Sequence, residues 1–242
     1  MDILPNALVP DAVDLADIDR DLRFFPASTT NPISITPEQL EFYNTEGYLG
    51  PLRALSPDDA ASLRSFFDGV LTKTLADGGS SYSINGAHRR FAEVWNLMHN
   101  KAIVDAVQDI LGPDIVAWGA HFFCKLPQDG KIVDWHQDAV YWPMTPSKTV
   151  TVWMAIDDTD SENACMRFIP RSHVHGTLMH TPSVAAEDNV SKQAHDCKGS
   201  NKPDPGGKAF GFLLWFSPLD LSFGIFLWFS PLVFSFGFLL WI

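Results

Sequence analysis

Residues 134–142 read DWHQDAVYW and residues 148–156 read KTVTVWMAI, and these two stretches predict the fold and the site. In the first, His136 and Asp138 place an imidazole and a carboxylate two residues apart on a segment predicted to be extended. They would supply two of the three ligands of a 2-His-1-carboxylate Fe(II) site, which keeps open positions on the metal. The spacing alone is weak, because 8 His and 29 acidic residues in 242 give about one such pair by chance. A surface polar pair is the alternative interpretation.

The second stretch has the alternation of a strand buried on one face. The wholly apolar set, Val150, Val152, Met154 and Ile156, is expected to pack between the sheet and the helices. The mixed set, Thr149, Thr151, Trp153 and Ala155, is expected to face a cavity. Trp153 is either a cavity-lining residue or an ordinary core aromatic.

Helical patterns precede strand patterns along the chain. Helices are predicted over residues 37–46, 57–77 and 100–111, and the first two follow the capping pairs Thr36-Pro37 and Ser56-Pro57. Strand-like runs follow at residues 115–126, 148–156 and 165–170. This order predicts a mainly β fold with N-terminal helices packed on one side of an antiparallel jelly roll.

Composition excludes several classes of function. A net charge of −12 argues against nucleic acid or an anionic membrane as partner, because no basic patch is available to release counterions. Cys124, Cys165 and Cys197 are odd in number and lack metal-site spacing, which favours a reducing, cytoplasmic location. Residues 1–35, rich in Pro and Asp, are expected to form a loosely held arm. Oligomeric state is not indicated.

Five ordered elements resemble the phytanoyl-CoA dioxygenase family of Fe(II)/2-oxoglutarate oxygenases. They are the K-x-P at Lys125, the HQD, the strand that ends W-x-A-I-D-D, the turn ENACMR at 162–167 and the IPRSH at 169–173. The resemblance covers residues 36–208, with Ala164 and Arg171 standing where the family has glycine, and Lys192 departing from an S-x-G-Q segment. Residues 180–193 resemble a branch that includes 2-aminoethylphosphonate hydroxylases, which favours a small polar substrate over an acyl-CoA.

The resemblance implies a double-stranded β-helix, cupin-like fold and assigns roles to several residues. His136 and Asp138 would be metal ligands and catalytic residues, with Fe(II) as cofactor and 2-oxoglutarate as co-substrate. Lys125 would pair with a 2-oxoglutarate carboxylate, although a lone Lys at a strand end is usually a surface residue. Trp153 and Thr151, on the cavity-facing set, would line the 2-oxoglutarate pocket.

The third ligand is the open question. His173 matches the family histidine that caps a turn and does not bind iron, while His175 has no matching role. His180 and His195 are the better substitutes by position, provided that a strand brings one of them to the metal.

The C-terminus departs most from the family. From Phe210 the chain repeats a 13-residue unit, with copies beginning at Phe223 and Phe236 and no His or Arg. We expect a read-through, mis-spliced or frame-shifted 3′ end here, with residues 209–242 outside the family domain and the barrel incomplete. Residues 115–176 are expected to form a half-barrel, with residues 210–242 packed poorly, splayed, or helical and apart from it. The competing interpretation is a membrane anchor over residues 221–242, which are uncharged and long enough to span a bilayer.

The sequence therefore predicts an Fe(II)/2-oxoglutarate-dependent dioxygenase that hydroxylates a small organic substrate. The alternative is a catalytically inactive, truncated member that lacks the distal His and the 2-oxoglutarate Arg. A jelly roll that only binds a sugar or a small acid is a third class, for which HQD would be unnecessary.

Overall fold

The computed structural model describes residues 18–81, 84–127, 136–160, 165–178, 180–182, 195–197, 213–217 and 233–241. For the last four ranges it describes the backbone, and every structural statement below refers to these residues. The side chain of Tyr141 and the segments around Ala164 and Lys192 lie outside this description.

The first two helices begin where their capping residues predict. Helix α1 spans Pro37–Glu46, and the Thr36 hydroxyl accepts a hydrogen bond from the backbone N–H of Gln39 in a complete capping box. Helix α2 spans Pro57–Ala76, and the Ser56 hydroxyl accepts from the N–H of Asp59. Both predictions are confirmed, because local hydrogen bonding near a proline fixes where each helix starts.

Two further helices complete the helical layer. Helix α3 spans Ala92–Met98, which sequence reasoning missed, because seven residues carry too little periodicity to predict. Helix α4 spans Lys101–Leu111, as predicted to within one residue. Asn100 caps it by accepting from the N–H groups of Ala102 and Ile103.

The described strands form one six-stranded mixed sheet and one separate two-stranded ladder. The strands are β1 Tyr48–Arg53, β2 Ile84–Asn85, β3 Val116–Lys125, β4 Thr149–Ala155, β5 His180–Pro182, β6 His195–Cys197, β7 Leu213–Ser217 and β8 Val233–Trp241. The sheet order is β1-β7-β4-β8-β3-β2, and β5 pairs with β6. Strand β7 is parallel to β1 and β4, whereas β8 is antiparallel to β3 and β4. The closed double-stranded β-helix stays a prediction.

The alternation of β4 is confirmed by its packing. Val150, Val152, Met154 and Ile156 belong to the main core, which the helices share. Trp153 and Ala155 lie in a separate small cluster with Tyr48 and Phe168. The rings of Phe67 on α2 and Phe122 on β3 lie 4.7 Å apart between centroids, which joins the helical layer to one face of the sheet. The opposite face carries the polar positions.

The tail does not lie apart from the sheet, which corrects one expectation. Strands β7 and β8 come from the 13-residue repeat. Strand β8 pairs with β3 along its whole length and with β4 over residues 235–241. Residues 115–176 therefore do not form a half-barrel by themselves. Unpaired strands leave backbone groups without hydrogen bonds, and the apolar repeat supplies the missing partners. The expectation of a splayed or helical, separate tail was wrong for residues 213–217 and 233–241, and its poor packing stays a prediction.

Two other expectations are changed by the strand assignment. Residues 165–170 are irregular, with the N–H of Cys165 donating to the Asp160 carbonyl across a turn, so the predicted third strand was wrong. Residues 233–241 of the proposed anchor are a strand, and residues 221–232 lie outside the description. In the described part of the chain, no helix combines the length and apolar character needed to cross a membrane.

The described part of the N-terminal arm is firmly attached to the domain. The buried carboxylate of Asp109 accepts hydrogen bonds from the N–H groups of Ile33, Ser34 and Ile35 at 2.7 to 3.0 Å. Arg20 donates to the Trp142 carbonyl at 2.6 Å. This corrects the expectation of a loose arm for residues 18–35, because a buried carboxylate needs donors and these backbone groups supply them.

The IPRSH turn is docked on the end of α1. His173 is buried, and its Nε2 lies 2.9 Å from the Asn44 carbonyl oxygen. A Cβ at Gly47, where φ is 85°, would lie 2.4 Å from Nδ1 of His173, so only glycine permits this approach. Arg171 has a φ of 65°, in the left-handed region that favours glycine, which accounts for the glycine that the family has there. Its guanidinium pairs with Glu46 at 2.8 Å.

Candidate functional site

His136 and Asp138 converge because the residue between them points the other way. The chain is extended at Gln137 and then forms a single 3₁₀ turn over Asp138–Tyr141. Gln137 donates from Nε2 to the Gly176 carbonyl and accepts from the N–H of Leu178, at 2.9 and 2.8 Å. Nε2 of His136 and Oδ1 of Asp138 consequently lie 3.2 Å apart. The predicted extended segment holds only as far as Gln137.

The second oxygen of Asp138 is bound by the sheet. Thr151 on β4 donates from its hydroxyl to Oδ2 of Asp138 at 2.7 Å. Burial by itself raises the pKa of the Asp138 carboxyl, but the hydrogen bonds with His136 and Thr151 together lower this pKa below its ordinary value. Asp138 is therefore a carboxylate at neutral pH, and 29% of its side chain remains exposed. That is the state that a metal ligand requires.

The observed geometry fits one metal ion between the two side chains. Imidazole nitrogen and carboxylate oxygen bind first-row metals at about 2.1 Å, so two such donors at a right angle would be about 3.0 Å apart. The measured separation of 3.2 Å is close to this value. The hydrogen bond from Thr151 would orient the carboxylate, as outer partners do in metal sites. The two candidate ligands are therefore close enough to share one metal ion, and their ligand role stays a prediction.

A third ligand is not found among the residues that the structure describes. No group of three or more His, Cys, Asp or Glu side chains in that part of the chain could hold a metal ion. Nε2 of His173 already contacts the carbonyl oxygen of Asn44 on α1. His180 and His195 lie on the paired strands β5 and β6, and their side chains lie outside the description. Their role as substitutes stays a prediction.

Lys125 and Trp153 lie on strands that flank β8. Lys125 ends β3 and is half-buried, on the same face of β3 as His121 and Phe123. Trp153 is 4% exposed and packs with the stacked pair of Tyr48 and Phe168. Thr151, predicted to contact the cofactor, bonds the Asp138 carboxylate instead of being left open. The roles of all three toward 2-oxoglutarate stay predictions.

Sequence reasoning missed a second polar group near Asp138. His121 on β3 and Asn85 on β2 face each other in register, with Nδ1 of His121 2.5 Å from Oδ1 of Asn85. His121 and Asp138 act on each other electrostatically, as do His121 and His88. The available signal was that His121 and Lys125 lie four residues apart on one face of β3. This signal indicates which face of β3 is polar, but it does not indicate that Asn85 and Asp138 lie near that face.

Comparison with known proteins gives the family. The profile of the family described as phytanoyl-CoA dioxygenase (PhyH) matches residues 43–206. The peroxisomal phytanoyl-CoA dioxygenase of Rattus norvegicus is 25% identical over 190 residues, which are 69% of this chain and 56% of that protein. A probable alpha-ketoglutarate-dependent hypophosphite dioxygenase of Stutzerimonas stutzeri is 30% identical over 90 residues, 37% of this chain and 31% of that one. The chain thus spans about half the length, or less, of these relatives.

Solved structures show the same fold at lower identity. EctD from S. alaskensis with bound Fe superposes with a TM-score of 0.62 at 17% identity, over 96% of this chain and 86% of that one. The non-heme monooxygenase ThoJ superposes with a TM-score of 0.58 at 24% identity, over 83% of this chain and 75% of that one. These likenesses concern the fold, which is that of non-haem oxygenases. Because the family profile matches residues 43–206, which are most of the chain, the chain belongs to the phytanoyl-CoA dioxygenase family.

Proposed function

We propose that this protein is an Fe(II)/2-oxoglutarate-dependent dioxygenase that hydroxylates a small organic substrate. The observation that carries the proposal is the convergence of His136 and Asp138 at 3.2 Å, with Thr151 on the outer carboxylate oxygen. A carboxylate that only formed a surface ion pair would not need a partly buried hydroxyl donor from the central sheet. The arrangement favours a ligand pair over the surface polar pair that the spacing alone allowed.

The names of related proteins support Fe(II) and 2-oxoglutarate as the cofactor and co-substrate. One relative is described as alpha-ketoglutarate-dependent, and the EctD structure contains Fe. A further neighbour with the same fold, SnoK, is described as a non-heme alpha ketoglutarate dependent carbocyclase, with a TM-score of 0.53. Fold alone does not transmit chemistry, so these names add to the local geometry without replacing it.

Each candidate residue has a distinct task in the proposed reaction. Fe(II), when bound, supplies the activation of oxygen that couples decarboxylation of 2-oxoglutarate to hydroxylation. His136 and Asp138 would hold the metal, and Thr151 would keep the carboxylate oriented. Lys125 would neutralise a carboxylate of 2-oxoglutarate, since a buried anion needs a partner cation. Trp153 would form an apolar wall that excludes water.

A second candidate is a family member that no longer catalyses. It is favoured by the finding that the described residues supply two ligands and no third. Ligands also position each other, so a two-ligand site binds Fe(II) more weakly than a complete one. The two candidates therefore differ in a measurable property, the affinity for iron.

Anaerobic reconstitution distinguishes the two candidates. The enzyme should bind about one iron per chain, as a single 2-His-1-carboxylate site does, and release succinate from 2-oxoglutarate under oxygen. Asp138→Ala should abolish both properties, whereas Asp77→Ala, on an exposed Asp paired with Lys73, should change neither. Absence of bound iron and of succinate in the unmodified chain would favour the inactive candidate. Unchanged succinate release in Asp138→Ala would reject the assigned site.

A further inference from the structure

His121 presents a fixed hydrogen-bond acceptor to the face of the sheet that carries the candidate site. With the Asn85 amide oriented as in the structure, Oδ1 accepts at 2.5 Å, so Nδ1 of His121 carries the proton. In a neutral imidazole the other nitrogen, Nε2, then holds a lone pair. Burial and the neighbouring His88 lower the pKa of His121, which favours this neutral form. The Asn85 contact thus fixes both the ring and its tautomer.

Strand register places that acceptor at the level of Thr151, with β8 between the two strands. Nε2 of His121 leans toward Gly119, and would be 3.8 Å from a Cβ at that position. Gly119 pairs with Leu239 of β8, which pairs with Thr151 of β4. Thr151 is the residue that binds Asp138, so the imidazole points toward the level of the carboxylate. The mutual electrostatic effect of His121 and Asp138 agrees with this placement.

The strand between β3 and β4 carries a glycine at the level of His121 and Trp153. Gly237 of β8 pairs with His121 on one side and with Trp153 on the other. Glycine has no side chain, so β8 places no side chain directly between His121 and Trp153 at the level of Gly237. Strands two positions apart in a sheet are about 10 Å apart. A molecule of a few heavy atoms fits that width.

We propose that His121, positioned by Asn85, is a specificity-determining residue that accepts a hydrogen bond from a hydroxyl or amino group of the substrate. This inference rests on the proposed function, because it locates the substrate beside His136 and Asp138. It narrows the substrate class to small molecules that carry an O–H or N–H donor close to the carbon that reacts. A long acyl thioester, whose reacting end carries no such donor, does not use this acceptor.

The test is a binding experiment that does not depend on turnover. The probes are a library of amino acids, amino alcohols and polyols, each paired with its fully N- or O-methylated counterpart, together with hexadecanoyl-CoA. Binding to the full chain with 2-oxoglutarate is measured under nitrogen, first by ligand-observed NMR and then by calorimetry. We expect the tightest probe to carry a donor and to bind better than its methylated counterpart.

Variants then assign the preference to His121. His121→Phe should lower the affinity for the tightest-binding probe by about tenfold, which corresponds to the loss of one hydrogen bond. The affinity for the methylated counterpart of that probe should change by less than about twofold. Asn85→Leu should give the same loss because the ring is no longer fixed. Asn85→Asp should keep the preference at alkaline pH, where the imidazole is neutral and the carboxylate still accepts from Nδ1. Iron affinity should stay at the unmodified value in all three variants.

Three results would overturn the proposal. One is the absence of any donor-bearing probe that binds better than its counterpart, including the case in which hexadecanoyl-CoA binds best. Another is equal weakening of both members of a pair by His121→Phe, which would indicate a general structural effect. The third is loss of iron affinity in His121→Phe, which would place the residue at the metal. Failure of the proposed function is recognised separately, by absent iron binding and succinate release in the unmodified chain.

Discussion

Replacing Thr151 by valine tests whether the sheet orients the candidate ligand Asp138. Valine has nearly the shape of threonine, so the substitution removes the 2.7 Å hydrogen bond to Oδ2 of Asp138 and leaves the packing of β4 largely intact. Hydrogen bonds to charged groups contribute about 1.5 to 3 kcal/mol. Because 29% of the Asp138 side chain is exposed, water can replace part of this loss, and the lower value applies. We expect the affinity for Fe(II) to fall about tenfold, within the range for outer partners of metal ligands.

The same variant should change the pH dependence of metal binding. The hydroxyl of Thr151 stabilises the ionised carboxylate, so its removal raises the pKa of Asp138. A metal ion competes with the proton for this oxygen. The onset of metal binding in Thr151→Val should therefore move to a higher pH than in the unmodified chain.

Anaerobic titration with Fe(II), or with Co(II) followed by its visible absorption, measures both effects. Thr149→Val is the matched control, because Thr149 is a buried threonine on the same face of β4. The control should bind metal within about twofold of the unmodified chain, as expected for a site without an outer-shell contact. Equal metal affinity in Thr151→Val and the unmodified chain would refute the reasoning, as would an equal loss in Thr149→Val.

Three other substitutions test the site and its support. Asp109→Ala should lower the free energy of unfolding by about 3 kcal/mol, because three backbone N–H groups lose their acceptor; urea denaturation measures the change. Gly47→Ala should destabilise by about 2 kcal/mol or more, since its Cβ would overlap the ring of His173 and its φ is 85°; thermal unfolding shows this as a lower midpoint. Asp138→Asn, which keeps the shape of the side chain, should lose metal binding by the same titration with little change in stability.

Matched controls separate these effects from general damage. Gly69→Ala on α2 meets nothing within 4 Å and should stabilise the helix by up to about 1 kcal/mol. Asp105→Asn on α4, whose carboxylate pairs with an exposed Lys101, should change stability by less than about 1 kcal/mol. Wild-type stability in Asp109→Ala would show that the arm is not anchored there, and a stable Gly47→Ala would contradict the close approach of His173. Metal binding retained in Asp138→Asn would exclude a direct carboxylate ligand.

The family, three of the four described helices and the candidate ligand pair were predictable because their signals are local. Thr36 and Ser56 bond to N–H groups three residues away, so a short window of sequence contains both partners. The two faces of β4 follow from alternation within that strand. His136 and Asp138 are brought together by an extended residue between them, and that too can be inferred from spacing.

Strand partners and the surroundings of the site were decided only by the tertiary structure. Strands β3 and β4 are joined through β8, whose residues lie about a hundred positions away in the sequence. The contact between His121 and Asn85 spans 36 residues, and Asn85 stands in a strand of two residues that has no sequence signal of its own. Alternation shows which side chains share a face, but it does not identify the neighbouring strand. That choice depends on hydrogen bonding and burial summed over the whole sheet, which no local pattern contains.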